Sequence, residues 1–405
     1  MNGYAADSWT DRVPVEELRA RWQHLQKAMA AVGLEAAVVM QNADLYYFSG
    51  TLQSGVLYIP VEGDPLYAVR RDVCRARRES YVPSIVPFRS FRELPGIVAD
   101  HGLPRVERVG MELDVLPVAT FQRVSHALGD PHVEDLTPLV RSLRSVKSAW
   151  ELERMRQAGR QLDESWRLAT QMACEGLSDL DLAVALEGLA RRRGHPGYAR
   201  MRAFNGEVAM GLVLAGADGA ASSFRNTPLG GAGLHPSVGF GPSGRRLRPG
   251  QPVTVDLIGF YNGYLADQTR TLALGYLDEP LCRAYEAMCQ IQDLLKKSAL
   301  PGVAWGQLYD DCCRLASELG YARHFMGQEG SQVSFIGHGI GLEIDEYPFI
   351  ARGFRDQVLR ENMTFAFEPK AVFPGQGAVG IENTFVVTAA GVEPLTLSDE
   401  TLCIL

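Results

Sequence analysis

At 405 residues the chain is too long for one ordinary core, so two domains are the starting expectation. A hydrophobic content of 46% beside 22% charged residues is that of a soluble globular protein and excludes a disordered chain. The net charge of -8 argues against nonspecific nucleic-acid binding, and the short basic runs at Arg75-Ala76-Arg77-Arg78, Arg191-Arg192-Arg193 and Arg245-Arg246 read as solvated helix faces or loops.

The N-terminal stretch lacks a basic segment followed by an apolar one, and no run approaches the length of a membrane span. Val15 to Val32 has helical periodicity and stops at Gly33, a glycine C-cap. Apolar strands such as Ala36 to Met40 and Val56 to Pro60 then alternate with helical patterns to about Leu143, the pattern of an α/β domain. The segment from Leu136 to Ser145 reads as a connection between domains, and a charged helical stretch follows from Ser148 to Ala173. Further on come a hairpin around Tyr261-Asn262-Gly263, helices at Glu279 to Ser298 and near Trp305 to Leu319, and apolar strands at Thr364 to Phe367 and Ile381 to Thr388. That ordering suits an α+β domain in which helices cover a curved antiparallel sheet. The boundaries expected are 1–143 and 144–405. Seven cysteines, with Cys312 and Cys313 adjacent and no CxxC, make no disulfide framework, so a reducing cytoplasm is expected.

Five side chains of the second half carry the chemistry: Asp256, Asp267, His338, Glu368 and Glu382. The runs Val253 to Phe260 and Tyr264 to Leu274 are rich in β-branched and aromatic residues, and the turn between them sets Asp256 and Asp267 at nearly equal distances from its centre. They should face each other or nearly so. Glu368 and Glu382 are likewise symmetric about Gly375, in Phe373-Pro374-Gly375-Gln376-Gly377. Like charges opposed on a ladder are destabilising, and a carboxylate in an apolar strand must be paired or bind a cation. With too few basic residues nearby to neutralise four acids, a pair of divalent ions is expected. Oxygen ligands, one imidazole and no thiolate suit manganese, cobalt, iron or zinc, and the chemistry implied is hydrolysis by an activated water.

At these residues the sequence resembles the pita-bread metallopeptidases: aminopeptidase P, prolidase, methionine aminopeptidase and creatinase. The resemblance extends over nearly the whole chain, because LRSVKSAWELERMRQAG is similar to the segment joining the creatinase-type N-terminal domain to the catalytic domain. It implies a pita-bread catalytic domain preceded by a creatinase-type α/β domain, and a homodimer. It also implies that Asp256, Asp267, His338, Glu368 and Glu382 are metal ligands, with Glu368 also the proton-transfer group.

The substrate positions depart from the family's pattern. Asp345 stands where GHGxGLxxHE has a second histidine, and Gly239 or Phe240 is nearest the place of another. Gly380 stands at the arginine of GxRIE, and the tyrosine after the family's EPG is replaced around Val372, in EPKAV. His235 can supply an imidazole from its loop, or be a surface histidine. Asp345 and Glu346 can bind a cationic substrate group or simply cap their segment. Thr269, two residues from Asp267, faces the same way and can hydrogen-bond a liganding carboxylate, whereas Arg270 faces away and reads as a structural ion pair.

The glycine patterns at Gly337 to Gly341 and Gly230 to Gly241 lack the strand, fingerprint and helix order of a dinucleotide site, and no serine elbow or catalytic cysteine setting is present. The expected function is a two-metal aminopeptidase or dipeptidase acting on short peptides, of Xaa-Pro type. The alternatives are a hydrolase of non-peptide C–N bonds on the same scaffold, or a pseudoenzyme that binds a protein partner. Neither nucleic acid nor membrane is expected as a partner.

Overall fold

Val15–Val32 forms the first helix, and Gly33 ends it with a φ of 74°. The amides of Gly33 and Leu34 donate to the carbonyls of Ala30 and Met29, closing the helix as the sequence leads one to expect. The computed structural model describes residues 11–405. They fall into two units, one running to Arg144 and taking in Arg202–Asn205, the other comprising Ser145–Met201 and Gly206–Leu405. Among the described residues all the cysteines are free, and no helix is long and apolar enough to cross a membrane.

The first unit is built on β1 (Ala36–Val39), β2 (Gly55–Pro60), β3 (Leu66–Val69), β4 (Ser84–Pro87), β5 (Arg108–Met111) and β6 (His132–Asp135), in the order β4-β3-β2-β1-β5-β6. Pairing is antiparallel from β1 through β3 and parallel elsewhere, so the sheet is mixed. All four residues of β1 are buried, which explains its unbroken apolar run in place of alternation. The stretch expected as a connection contains the helix Thr137–Ser145, and the two units divide at its end, between Arg144 and Ser145.

The second unit opens with the helix Ala149–Met172, whose start is fixed by a reciprocal cap: Glu151 N–H donates to Ser148 Oγ, and Ser148 N–H donates to Glu151 Oε2. Its strands are β7 (Gly211–Ala215), β8 (Pro252–Tyr261), β9 (Tyr264–Ala273), β10 (Phe335–Ile340), β11 (Ile344–Ala351), β12 (Thr364–Phe367), β13 (Lys370–Phe373), β14 (Gly377–Gly380), β15 (Asn383–Thr388), β16 (Gly391–Pro394) and β17 (Cys403–Ile404). They make a four-stranded sheet β17-β9-β8-β7, a five-stranded sheet β11-β10-β12-β15-β16 and the β13–β14 ribbon. The helices Glu279–Ser298 and Trp305–Glu318 bury Tyr285, Met288, Ile291, Trp305 and Leu308 against Ile336, Phe365, Phe367 and Phe385. This is the helix-covered, antiparallel α+β arrangement expected.

Candidate metal centre

The β8–β9 hairpin turns on Asn262 and Gly263, whose φ values of 47° and 94° are the paired positive angles of a two-residue turn matched to strand twist. That turn sets Tyr261 opposite Tyr264, Asp256 opposite Thr269 and Ile258 opposite Asp267. The expected facing pair is thereby corrected. The aspartates sit diagonally, two positions apart on one face, because the turn is centred between Asn262 and Gly263 and not one residue earlier. Side-chain parity survives such a shift, so both carboxylates still project to the same side.

Glu368 and Glu382 lie between two ladders of one register. On one side Phe367 pairs with Asn383, and on the other Lys370 pairs with Gly380. Glu368 N–H donates to Ile336 O, and Glu382 N–H donates to Thr269 O, tying them to the strands that carry His338 and Asp267. His338 sits in β10 where the register with β11 shifts, a bulge that re-aims a side chain. Glycines flank it for a packing reason: a Cβ on Gly339 would lie 2.2 Å from Tyr347 O, and one on Gly337 would lie 2.6 Å from Ala366 O.

The structure thus brings the five residues to one place, and ligand atoms of Asp267, His338 and Glu382 can all lie within 4.8 Å of one another. His338 Nε2 is 3.8 Å from Glu368 Oε1 and 4.0 Å from Glu382 Oε1, while its Nδ1 faces Asp345 Oδ1 at 3.7 Å. This donor set of carboxylates and one imidazole fits a divalent cation.

Lys370 is the functional residue that sequence reasoning missed: it is a base set among acids that were expected to have too few basic neighbours to neutralise all four. Its ammonium is 2.5 Å from Glu368 Oε2, 2.8 Å from Glu382 Oε2 and 3.5 Å from Asp256 Oδ2, with the side chain 1% exposed. The signal was available: Lys370 stands two residues after Glu368 in an apolar run, where a lysine has no ordinary reason to be. One ammonium does not balance Asp256, Asp267, Glu368 and Glu382, so the cluster keeps an excess of acid.

Burial, followed by the neighbouring charges, sets the titration behaviour. Burial pushes the Asp256 carboxyl up to about 6, with Glu382 adding to the rise and Lys370 opposing it. Burial lifts Glu368 to about 7, again against Lys370 and with Glu382. Burial and the charges of Glu382 and Asp256 hold Asp267 well above the usual range. Only Glu382 is depressed: burial would raise it, but Lys370 and His338 together outweigh that. His338 is raised, because Asp345, Glu368 and Glu382 outweigh the burial that opposes its charge.

Thr269 Oγ1 donates to Glu382 Oε2 at 2.7 Å. Arg270 forms no ion pair among the described residues, contrary to expectation. All five donors of its buried guanidinium are used on oxygens of Thr269, Glu382, Asn383, Ser398 and Asp399, which clamps the backbone that presents Glu382. Glu346 is buried with Lys147 at 2.9 Å and accepts from the amides of Leu342 and Glu343, a structural role. Asp345, with φ 65°, stays part-exposed beside His338. His235 is exposed and bonded to its own loop through Ser237.

Comparison with known proteins bears on this centre. The profile of metallopeptidase family M24 matches residues 153–389, and that of the creatinase/prolidase N-terminal domain matches residues 21–146. The Xaa-Pro dipeptidase of Pyrococcus furiosus is 28% identical over 389 residues, covering 95% of this chain and 100% of its own. A probable dipeptidase of Mycobacterium tuberculosis, PepE, is 28% identical over 377 residues, 90% of each chain. Among solved structures, the Pyrococcus horikoshii prolidase superimposes with a TM-score of 0.79 at 24% identity, covering 95% of this chain and 99% of its own. The Xaa-Pro dipeptidase from Bacillus anthracis gives 0.81 at 24%, covering 96% and 100%. At that identity the likeness is one of fold: a pita-bread unit preceded by a creatinase-type unit.

Proposed function

The chain belongs to metallopeptidase family M24, and from that premise we propose that residues 144–405 cleave the first peptide bond of short peptides, with Xaa-Pro bonds the leading substrate. The observation that carries this is the convergence of Asp267, His338 and Glu382 on one point, with Glu368 beside them. The relatives named as Xaa-Pro dipeptidases support the substrate class. Manganese, cobalt, iron and zinc all suit the donor set. The seven free cysteines support a reducing cytoplasm as the working compartment, and a homodimer is the assembly the resemblance favours.

A divalent ion held by Asp267, His338 and Glu382 would polarise the scissile carbonyl and acidify water. The protein's own groups do the rest. Glu368, with Oε1 on the side of His338, is placed to take a proton from water and pass it to the leaving amine. Lys370 holds Glu368 Oε2, which leaves Oε1 on the histidine side for the proton transfer. Thr269 and Arg270 fix Glu382, one through its carboxylate and the other through its carbonyl. Asp345, a carboxylate at the mouth of the histidine, favours substrates with a positive group, while His235 contributes to binding if its loop closes on the substrate.

The test is a panel of dipeptides, Xaa-Pro peptides and small C–N substrates assayed with added manganese. Hydrolysis of peptides alone supports the proposal; turnover restricted to the non-peptide set would replace it with the second reading on the same scaffold. Absence of any bound metal and of any turnover would leave a binding protein.

A further inference from the structure

The two glutamates divide their oxygens between two sides of the cluster. Oε1 of Glu368 and Oε1 of Glu382 face His338 Nε2, at 3.8 and 4.0 Å. Oε2 of each faces Lys370 Nζ, at 2.5 and 2.8 Å, and Asp256 Oδ2 completes that side at 3.5 Å. The cluster therefore has two positions for positive charge. One is lined by Asp267, His338 and Glu382. At the other the ammonium donates to Glu368 Oε2 and Glu382 Oε2 and pairs more loosely with Asp256.

We propose that the Lys370 ammonium permanently fills the second position, so that the folded chain takes one divalent ion and not two. The proposal rests on the metallopeptidase reading and specifies its metal stoichiometry. Three observations carry it. The lysine side chain is 1% exposed, so leaving its acceptors means leaving a closed site. The carboxylate oxygens that a second ion would need on that side, on Asp256, Glu368 and Glu382, are those already turned towards Nζ. Across the ladder Gly380 leaves the room that the lysine stem uses, since a Cβ there would lie 2.8 Å from Lys370 Cγ. A divalent ion added beside the ammonium would meet its repulsion and find the Oε2 atoms of both glutamates already engaged. The lysine supplies one positive charge where an ion would supply two, and it does not exchange with solvent.

The experiment is metal analysis of the full chain stripped with chelator, reloaded with manganese(II) and freed of excess, alongside Lys370→Gly and Lys370→Met. The wild type should hold one manganese per chain and give the six-line spectrum of an isolated ion; Lys370→Gly should hold two, with the signal broadened by exchange coupling. Lys370→Met, which removes the ammonium and frees the same carboxylates, should also hold two; one ion in a natively folded Lys370→Met would overturn the ammonium as the blocking group. Two ions in the wild type, or one in Lys370→Gly when its circular dichroism is native, would overturn the proposal while leaving the metallopeptidase reading intact. Should neither variant fold, the wild-type stoichiometry and spectrum decide alone. No manganese in the wild type, and no hydrolysis, would overturn both.

Discussion

Lys370 and Gly380 are direct cross-strand partners on the β13–β14 ribbon. Gly380 stands where an arginine was expected from the resemblance, and the ladder sets it opposite Lys370, so the lysine side chain passes where its partner has none. A Cβ on Gly380 would lie 2.6 Å from Pro369 O and 2.8 Å from both Cα and Cγ of Lys370.

Gly380→Ala should therefore displace the ribbon and the ammonium with it. A loss of about 1–3 kcal/mol is expected from such overpacking, read from urea denaturation of the metal-free protein. Combining it with Lys370→Gly should cost less than the sum of the single changes, since the two sites share one space. Strict additivity would show that they do not.

Glu368→Gln keeps the shape of the side chain and removes its proton chemistry. Turnover should fall by about 10²–10⁴-fold while the circular dichroism and melting temperature stay near wild type. Activity within a few fold of wild type would exclude Glu368 as the proton carrier.

Thr269→Val removes the hydroxyl that donates to Glu382 Oε2 without changing side-chain size. Loss of this support should weaken metal affinity by about 10–100-fold, measured by competition with a chelating dye. Arg270→Lys retains the charge but has three donors for the five oxygens that the guanidinium satisfies. A stability loss of about 2–4 kcal/mol is expected, with no recovery in high salt because no ion pair is involved.

His195 gives the chain an acid-labile point outside the centre. Burial, with Arg191 adding to it, lowers the imidazole to about 4. A histidine depressed in the folded state contributes stability above its unfolded value, and that contribution is lost as pH falls from about 6.5 towards 4. The cluster carboxyls titrate in the same window, so the measurement is the difference in unfolding free energy between wild type and His195→Leu. Its pH slope should run against the wild type below about 6.5; parallel curves would show that His195 is not depressed.

Asp345→His replaces the carboxylate beside His338. Preference for substrates bearing a positive group should shrink by about fivefold in kcat/KM, equivalent to about 1 kcal/mol for a part-exposed pair. Unchanged preference would assign Asp345 to orienting His338 alone.

Local chemistry determined much of this protein. The glycine that stops the first helix, the cap of Ala149–Met172, the Asn262-Gly263 turn and the strand character of β8, β9, β12 and β15 all follow from propensity and period, because each depends on residues a few positions apart. The period of two also put the acids on shared faces, which is why Asp256, Asp267, Glu368 and Glu382 could be grouped before any coordinates. Tertiary structure alone decided what those acids meet. Thr269 reaches Glu382 across 113 residues of chain, and four of the five oxygens around Arg270, all but that of Thr269, come from segments as distant. Whether an acid in an apolar strand is answered by an ion or by a lysine depends on which side chain fills the space above it, and that is settled by the packing of separate sheets, to which sequence spacing is blind.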